Sequence, residues 1–179
     1  TDRSVVGYFC CVTPEEMIYA ADMLPVRVSG SHDRFEVVDQ HVPMYACGLV
    51  RSCIDLSARG IYDYLDAMVI PNTCDMVFRA EYWWRAVAPK PKPVLGGIEL
   101  APHVWYLKYP EKIKGRGTFD YFLEELRYFK QYLERLSGVE LTDERLSQAI
   151  SVYNEHYDLM RALHEARKQN PLPVSGYEA

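Results

Sequence analysis

The sequence predicts an α/β protein: a doubly wound, mainly parallel sheet followed by a long helical hairpin. Three observations carry that expectation. Short apolar, β-branched runs alternate with helical patterns through the first half of the chain, and turn residues separate them. Beyond Lys114-Gly115-Arg116-Gly117 the apolar repeat changes to steps of three and four residues and continues through two long segments.

Ser4 to Phe9 (SVVGYF) suits a buried strand, and Thr13-Pro14-Glu15-Glu16 opens a helix with Thr13 as cap, proline in the first turn and two carboxylates at the positive helix end. Pro25 to Val28 reads as the next strand, closed by the polar turn Ser29-Gly30-Ser31-His32-Asp33. A helix from Cys47 to Ala58 stops before Gly60, Leu65 to Ile70 forms a strongly apolar strand, and Pro71 to Asp75 turns into a helix over Met76 to Val87. Pro89 to Pro93 punctuates the chain, with further strands expected over Val94 to Ile98 and Val104 to Lys108. This alternation is of the Rossmann or flavodoxin kind. Phe119, Phe122, Leu126, Phe129, Leu133 and Leu136 then mark one face of a helix ending at Gly138. Thr142 caps a second helix striped by Leu146, Ile150, Tyr153, Tyr157 and Met160. Both stripes are expected to be packing surfaces.

The 179 residues are 49% hydrophobic and 25% charged, which is globular rather than disordered composition. A formal charge of −5 argues against nucleic acid or an anionic membrane as partner. No apolar stretch approaches membrane-spanning length, and Thr1-Asp2-Arg3-Ser4 lacks a signal-peptide pattern, so a cytoplasmic protein is expected.

All five cysteines, at positions 10, 11, 47, 53 and 74, fall in the first half, and their odd number does not suit a disulfide framework. Cys10 and Cys11, adjacent in an apolar run, read as buried structural thiols. Cys47 and Cys74 each stand at the start of an expected helix. There they favour a thiolate, at the sheet edge where open α/β folds bind ligands. The missing C-x-x-C steps disfavour structural zinc. A cysteine nucleophile would need a base that none of the five histidines identifies, and fixed iron–sulfur spacings are absent. Spacing alone leaves open unliganded thiols, a nucleophile and a soft metal centre.

Longer segments add to this. Gly7-Tyr8-Phe9, Pro14 to Ala21, Tyr45 to Cys53, Leu65 to Asp75, Leu146 to Ile150, Tyr153-Asn154-Glu155 and Pro173 to Gly176 together resemble the 2-hydroxyacyl-CoA dehydratase and benzoyl-CoA reductase family. The resemblance implies an anaerobic heterodimeric enzyme in which three cysteines hold a [4Fe–4S] cluster, with Cys47 and Cys74 matching the first two. An ATP-dependent iron–sulfur activator would supply a single electron to an acyl-CoA, and a 2-hydroxyacyl-CoA would lose water through a ketyl radical. The reductase branch would reduce an aromatic ring instead, and a non-catalytic, cluster-holding electron-transfer or scaffold subunit is a third reading.

The resemblance puts the third cysteine in a second α/β domain, so the expected organisation is an α/β domain over 1–115, a helical hairpin over 116–169 and a connector over 170–179 to a missing domain. The chain alone would then be inactive. Within this frame Glu15 and Glu16 are candidates for a catalytic role near substrate, against the ordinary reading of a helix-dipole cap. Arg51 is a candidate for CoA phosphate or reduced-cluster charge, against an ordinary salt bridge. Cys53 lies on a different helix face from Cys47 and is expected to be structural. Asp22 replaces a small residue often found in relatives.

Overall fold

The computed structural model of the chain describes residues 3–87, 104–112, 114–170 and 173–175. Its centre is four short strands, β1 (Val5–Tyr8), β2 (Leu24–Arg27), β3 (Ala67–Pro71) and β4 (Val104–Leu107), all parallel and ordered β2-β1-β3-β4. β1 pairs Val5 with Leu24 of β2 and Val6 with Ala67 of β3, while β3 pairs Met68 with Val104 of β4. The chain therefore winds outward in both directions from the β1/β3 pair. Doubly wound sheets bind ligands at the carboxyl ends of such a pair.

Helices cover both faces. α2 (Gly48–Ala58) and α3 (Asp75–Val87) lie over a core of Phe9, Val50, Ile54, Met68, Ile70, Val77 and Trp84. α1 (Glu15–Ala20), α4 (Thr118–Ser137) and α5 (Asp143–Ala166) lie over Val6, Tyr8, Ile18, Val69, Leu107, Phe129, Leu133 and Ala149. The period-two alternation of β3 divides the two cores: Met68 and Ile70 face one, Ala67 and Val69 the other. The α/β expectation and the run of long helices after it are borne out. The expected strand over Val94 to Ile98 and the proline segment 89–93 lie outside the described residues.

Several local expectations are corrected. Thr13 does not cap α1; its hydroxyl donates to the Phe9 carbonyl (3.0 Å), and Pro14 occupies the cap position with no side-chain hydrogen bond. Pro14 itself sits at ψ 83°, outside helical geometry, so the chain enters the helix one residue late. Pro71 belongs to β3 rather than the following turn, where its lack of an N–H is tolerated at the strand end. Cys10 and Cys11 are not buried. β1 stops at Tyr8, and the chain turns at Cys10 with φ 60°, leaving Cys10 half-buried and Cys11 exposed. The α5 stripe is covered only in part: Ile150, Tyr157 and Met160 are exposed, and α5 packs chiefly on α1 rather than on α4.

Other signals held. Gly138 ends α4 in the left-handed region at φ 72°, and Thr142 caps α5 by accepting from the Arg145 N–H (3.3 Å). Asp22 sits at φ 59°, a conformation that favours glycine, and its carboxylate accepts from the Arg3 Nε–H (2.8 Å). Among the described residues no helix is long and apolar enough to cross a membrane.

Candidate functional site

Each candidate group begins from the carboxyl edge of the sheet. Cys47 is the N-cap of α2, extended at ψ 150°, and its carbonyl accepts from the Arg51 N–H at 3.0 Å. Cys74 holds the equivalent place before α3, its carbonyl accepting from the Phe78 N–H at 2.8 Å. Both thiols are exposed and free. The same local geometry thus presents one cysteine at the start of each helix on one face of the sheet.

Cys10 and Thr73 join them across the switch point. Cys10 follows β1, Thr73 follows β3, and the Thr73 hydroxyl donates to Cys10 Sγ at 3.1 Å, so a side-chain bridge spans the crevice between the two central strands. Cys53 lies beneath, fully buried in the α2/α3 core. Burial pushes its thiol up to about 12, with smaller contributions from Cys47 and Cys10 nearby. It therefore stays a protonated thiol at neutral pH. Among the described residues no three His, Cys, Asp or Glu side chains are grouped so as to hold a metal ion. The donor set fits part of a thiolate site.

An open aromatic hollow of about 570 Å³ runs along α3, walled by Tyr45, Phe78, Tyr82, Trp83 and Tyr106, with Arg79 and Glu81 among its lining; neither Cys47 nor Cys74 lines it. Phe78 and Tyr82 follow Cys74 at successive four-residue steps, on its side of α3. Arg79 is paired with Asp75 at 3.0 Å. Met44, Tyr45 and Leu49, on either side of Cys47, are exposed as well.

Arg51 is engaged elsewhere. Its guanidinium pairs with Asp39 and lies 4.5 Å over the Phe35 ring. The loop carrying both partners is anchored by Asp55, whose Oδ1 accepts from the N–H groups of Glu36, Val37 and Val38 at 2.9, 2.7 and 3.0 Å. Burial alone would raise the Asp55 carboxyl, but these amides and Arg59 outweigh it and hold it below the usual aspartate range.

On the other face of the sheet, Glu15 and Glu16 open α1 beneath the middle turns of α5. Glu15 accepts hydrogen bonds on both oxygens: from the Tyr8 hydroxyl on Oε2, and from the Tyr157 hydroxyl on Oε1 at 3.1 Å. Glu16 Oε1 is 3.4 Å from the Tyr157 oxygen. Tyr153 packs edge-on against Tyr19 at 5.9 Å and lies 6.3 Å from the Tyr157 ring. Burial followed by its hydrogen bond to Glu15 pushes the Tyr8 phenol well up. Burial followed by the charges of Glu16 and Glu15 takes Tyr157 up to about 12. Both phenols are therefore donors at neutral pH.

The structure thus places Cys47 and Cys74 at the starts of α2 and α3, holds Glu15 at the start of α1 against the last residue of β1, and keeps Arg51 in an ion pair. Sequence reasoning misses Cys10, Thr73, Tyr8 and Tyr157 as members of the site. The i, i+4 pair Tyr153 and Tyr157 is the available signal.

Residues 10–179 match the profile of the family described as 2-hydroxyglutaryl-CoA dehydratase, D-component. The chain is 30% identical over 174 residues to a benzoyl-CoA reductase subunit of Thauera aromatica, covering 96% of this chain and 42% of that protein. It is 28% identical over 160 residues to the (R)-phenyllactyl-CoA dehydratase beta subunit of Clostridium sporogenes, covering 89% and 40%. Against the (R)-2-hydroxyglutaryl-CoA dehydratase beta subunit of Acidaminococcus fermentans the identity is 23% over 176 residues, covering 97% and 44%. The chain spans about two-fifths of the length of these relatives.

Proposed function

Since the chain belongs to the 2-hydroxyglutaryl-CoA dehydratase D-component family, we propose that the protein acts as a subunit of an enzyme that dehydrates a 2-hydroxyacyl-CoA by a ketyl-radical route. The observation that carries this reading is the matched pair of exposed cysteines, Cys47 and Cys74, each in the cap position of a helix on one face of the sheet edge. These two residues would hold a [4Fe–4S] cluster together with a third cysteine from outside this segment. The cluster, when bound, would supply a single low-potential electron for the thioester, received from an ATP-dependent iron–sulfur activator.

The residues of this chain do the remaining work. The rings of Phe78, Tyr82 and Tyr106 offer an open apolar surface for the acyl group along α3. The Glu15 carboxylate, with a donor on each oxygen, accepts a proton at Oε1 or Oε2 during elimination. A homologous partner chain completes the enzyme. A benzoyl-CoA reductase-type activity is the second reading, favoured by the 30% identity to a subunit of that enzyme over nearly the whole chain.

Anaerobic reconstitution of the full-length subunit with iron and sulfide, followed by metal counting and EPR, tests the ligands. The Cys47→Ala, Cys74→Ala double variant should lose cluster loading; unchanged loading would overturn the assignment. Turnover of 2-hydroxyacyl-CoA thioesters and of benzoyl-CoA, with activator, ATP and partner present, separates the two activities. Turnover of neither would point to a cluster-holding scaffold.

A further inference from the structure

We propose that Tyr8 and Tyr157 are positioning residues for Glu15, fixing its carboxylate at the sheet edge from two sides. The inference rests on the acyl-CoA enzyme reading above, in which Glu15 exchanges a proton with substrate. Tyr8 is the immobile partner: it is the last residue of β1 and only 7% exposed, so its phenol cannot leave Glu15 Oε2 without disturbing the sheet. Tyr157 approaches Oε1 from α5, 142 positions along the chain. A phenol has one proton, and 3.4 Å to Glu16 lies beyond good hydrogen-bond range, so the geometry gives that proton to Glu15 at 3.1 Å.

A simple latch between α1 and α5 would explain Tyr157. It would not explain why a buried strand residue takes the second oxygen. Two donors occupy two of about four lone-pair positions on a carboxylate, which fixes the plane of the group and leaves an acceptor position on each oxygen. That is the arrangement a proton acceptor needs: held in orientation, yet not saturated. The other titratable and charged neighbours are Glu16 on α1, Tyr153 and His156 on α5, the latter 5.6 Å from the Tyr157 ring, and Arg27 on β2. Burial, then the charges of Glu15 and Glu16, raises Tyr153, while Arg27 acts on Tyr8. Tyr153 makes ring contacts with Tyr19, His156 and Tyr157, and is placed to keep the Tyr157 ring in register.

The test uses the full-length subunit assembled with its partner and activator, comparing the parent with Tyr157→Phe, Tyr8→Phe and Glu15→Gln. Tyr128→Phe, an exposed phenol on α4, is the control. Losing a donor to a charged acceptor should lower kcat about tenfold in Tyr157→Phe with little change in KM. A purely structural latch would change stability without this loss confined to kcat. In parallel, NMR titration of the same proteins carrying ring-labelled tyrosine should show the Tyr8 and Tyr157 phenols ionising at lower pH in Glu15→Gln.

Unchanged kcat in Tyr157→Phe, with the parent active, would overturn the inference alone. Absence of the NMR shift would overturn the contacts themselves. A parent that shows the NMR coupling but turns over no acyl-CoA would overturn the enzyme reading, and the positioning role with it.

Discussion

Replacing Asp55 with alanine should cost about 3 kcal/mol and loosen the approach to Cys47. Asp55 is 2% exposed, and its Oδ1 serves three consecutive backbone amides while Oδ2 faces Arg59 Nη1 at 3.5 Å. Hydrogen bonds to a charged acceptor contribute about 1.5–3 kcal/mol each, so three would suggest a loss near ~6 kcal/mol. The amides are not equally stranded, however. Glu36 is exposed and Val37 half-exposed, so water can replace the carboxylate there, whereas Val38 is buried and its amide is left without an acceptor. That asymmetry halves the loss to about 3 kcal/mol. Urea unfolding of the purified chain, with an unchanged denaturant slope, measures it. Because the folded-state value of Asp55 lies below the unfolded one, its contribution is complete above the ordinary aspartate value near ~3.9 and vanishes as the pH falls through the folded value. The gap between parent and Asp55→Asn should therefore close on acidification. A loss below about 1 kcal/mol, or a gap that widens in acid, would refute the anchoring argument.

Three further outcomes are expected. Iodoacetamide on the native chain should label Cys11, Cys47 and Cys74 quickly and Cys10 slowly, and should leave Cys53 unlabelled until urea is added. Peptide mass mapping reads this order, and early labelling of Cys53 would contradict its burial. Phe129→Ala should cost about 3–5 kcal/mol in urea unfolding, since that side chain is fully buried with Trp105 at 6.0 Å and Tyr132 at 6.4 Å between ring centres. Asp22→Gly should change stability by no more than about 0.5 kcal/mol, the relieved backbone offsetting the exposed Arg3 pair, while Asp22→Val should lose about 1–2 kcal/mol by thermal unfolding.

What can be read from the sequence is whatever local chemistry decides. β3 is visible because all five of its residues are buried, which forces an uninterrupted apolar run. The end of α4 is visible because only glycine enters the left-handed region cheaply, and the start of α5 because Thr142 caps it. Cys47 and Cys74 follow from helix starts of the same local kind. Cys10 escapes because an apolar run does not reveal where a strand stops, and nothing in a periodicity marks a left-handed turn at a cysteine. Tyr157 escapes for a different reason. A helical stripe shows that one face is apolar but not which part of it meets a neighbour, and α5 meets α1 through phenols and carboxylates in its middle turns.

The parity of β1 has a chemical consequence. Tyr8 and Phe9 are consecutive, so they face opposite sides of the sheet: Phe9 into the α2/α3 core, Tyr8 into the core under α1, α4 and α5. The thiols of Cys47 and Cys74 come with the first pair of helices, and Glu15 with the second set. The two chemistries therefore meet only at the crevice between the ends of β1 and β3, where Thr73 bridges to Cys10. On the far side both Glu15 oxygens are engaged by Tyr8 and Tyr157. Inserting one residue within Val5–Tyr8 would exchange the two faces, sending the Tyr8 phenol into the apolar α2/α3 core and leaving Glu15 without its buried donor. Such a variant should lose the Tyr8–Glu15 coupling and much of its stability together, whereas Tyr8→Phe should lose the coupling and keep the fold.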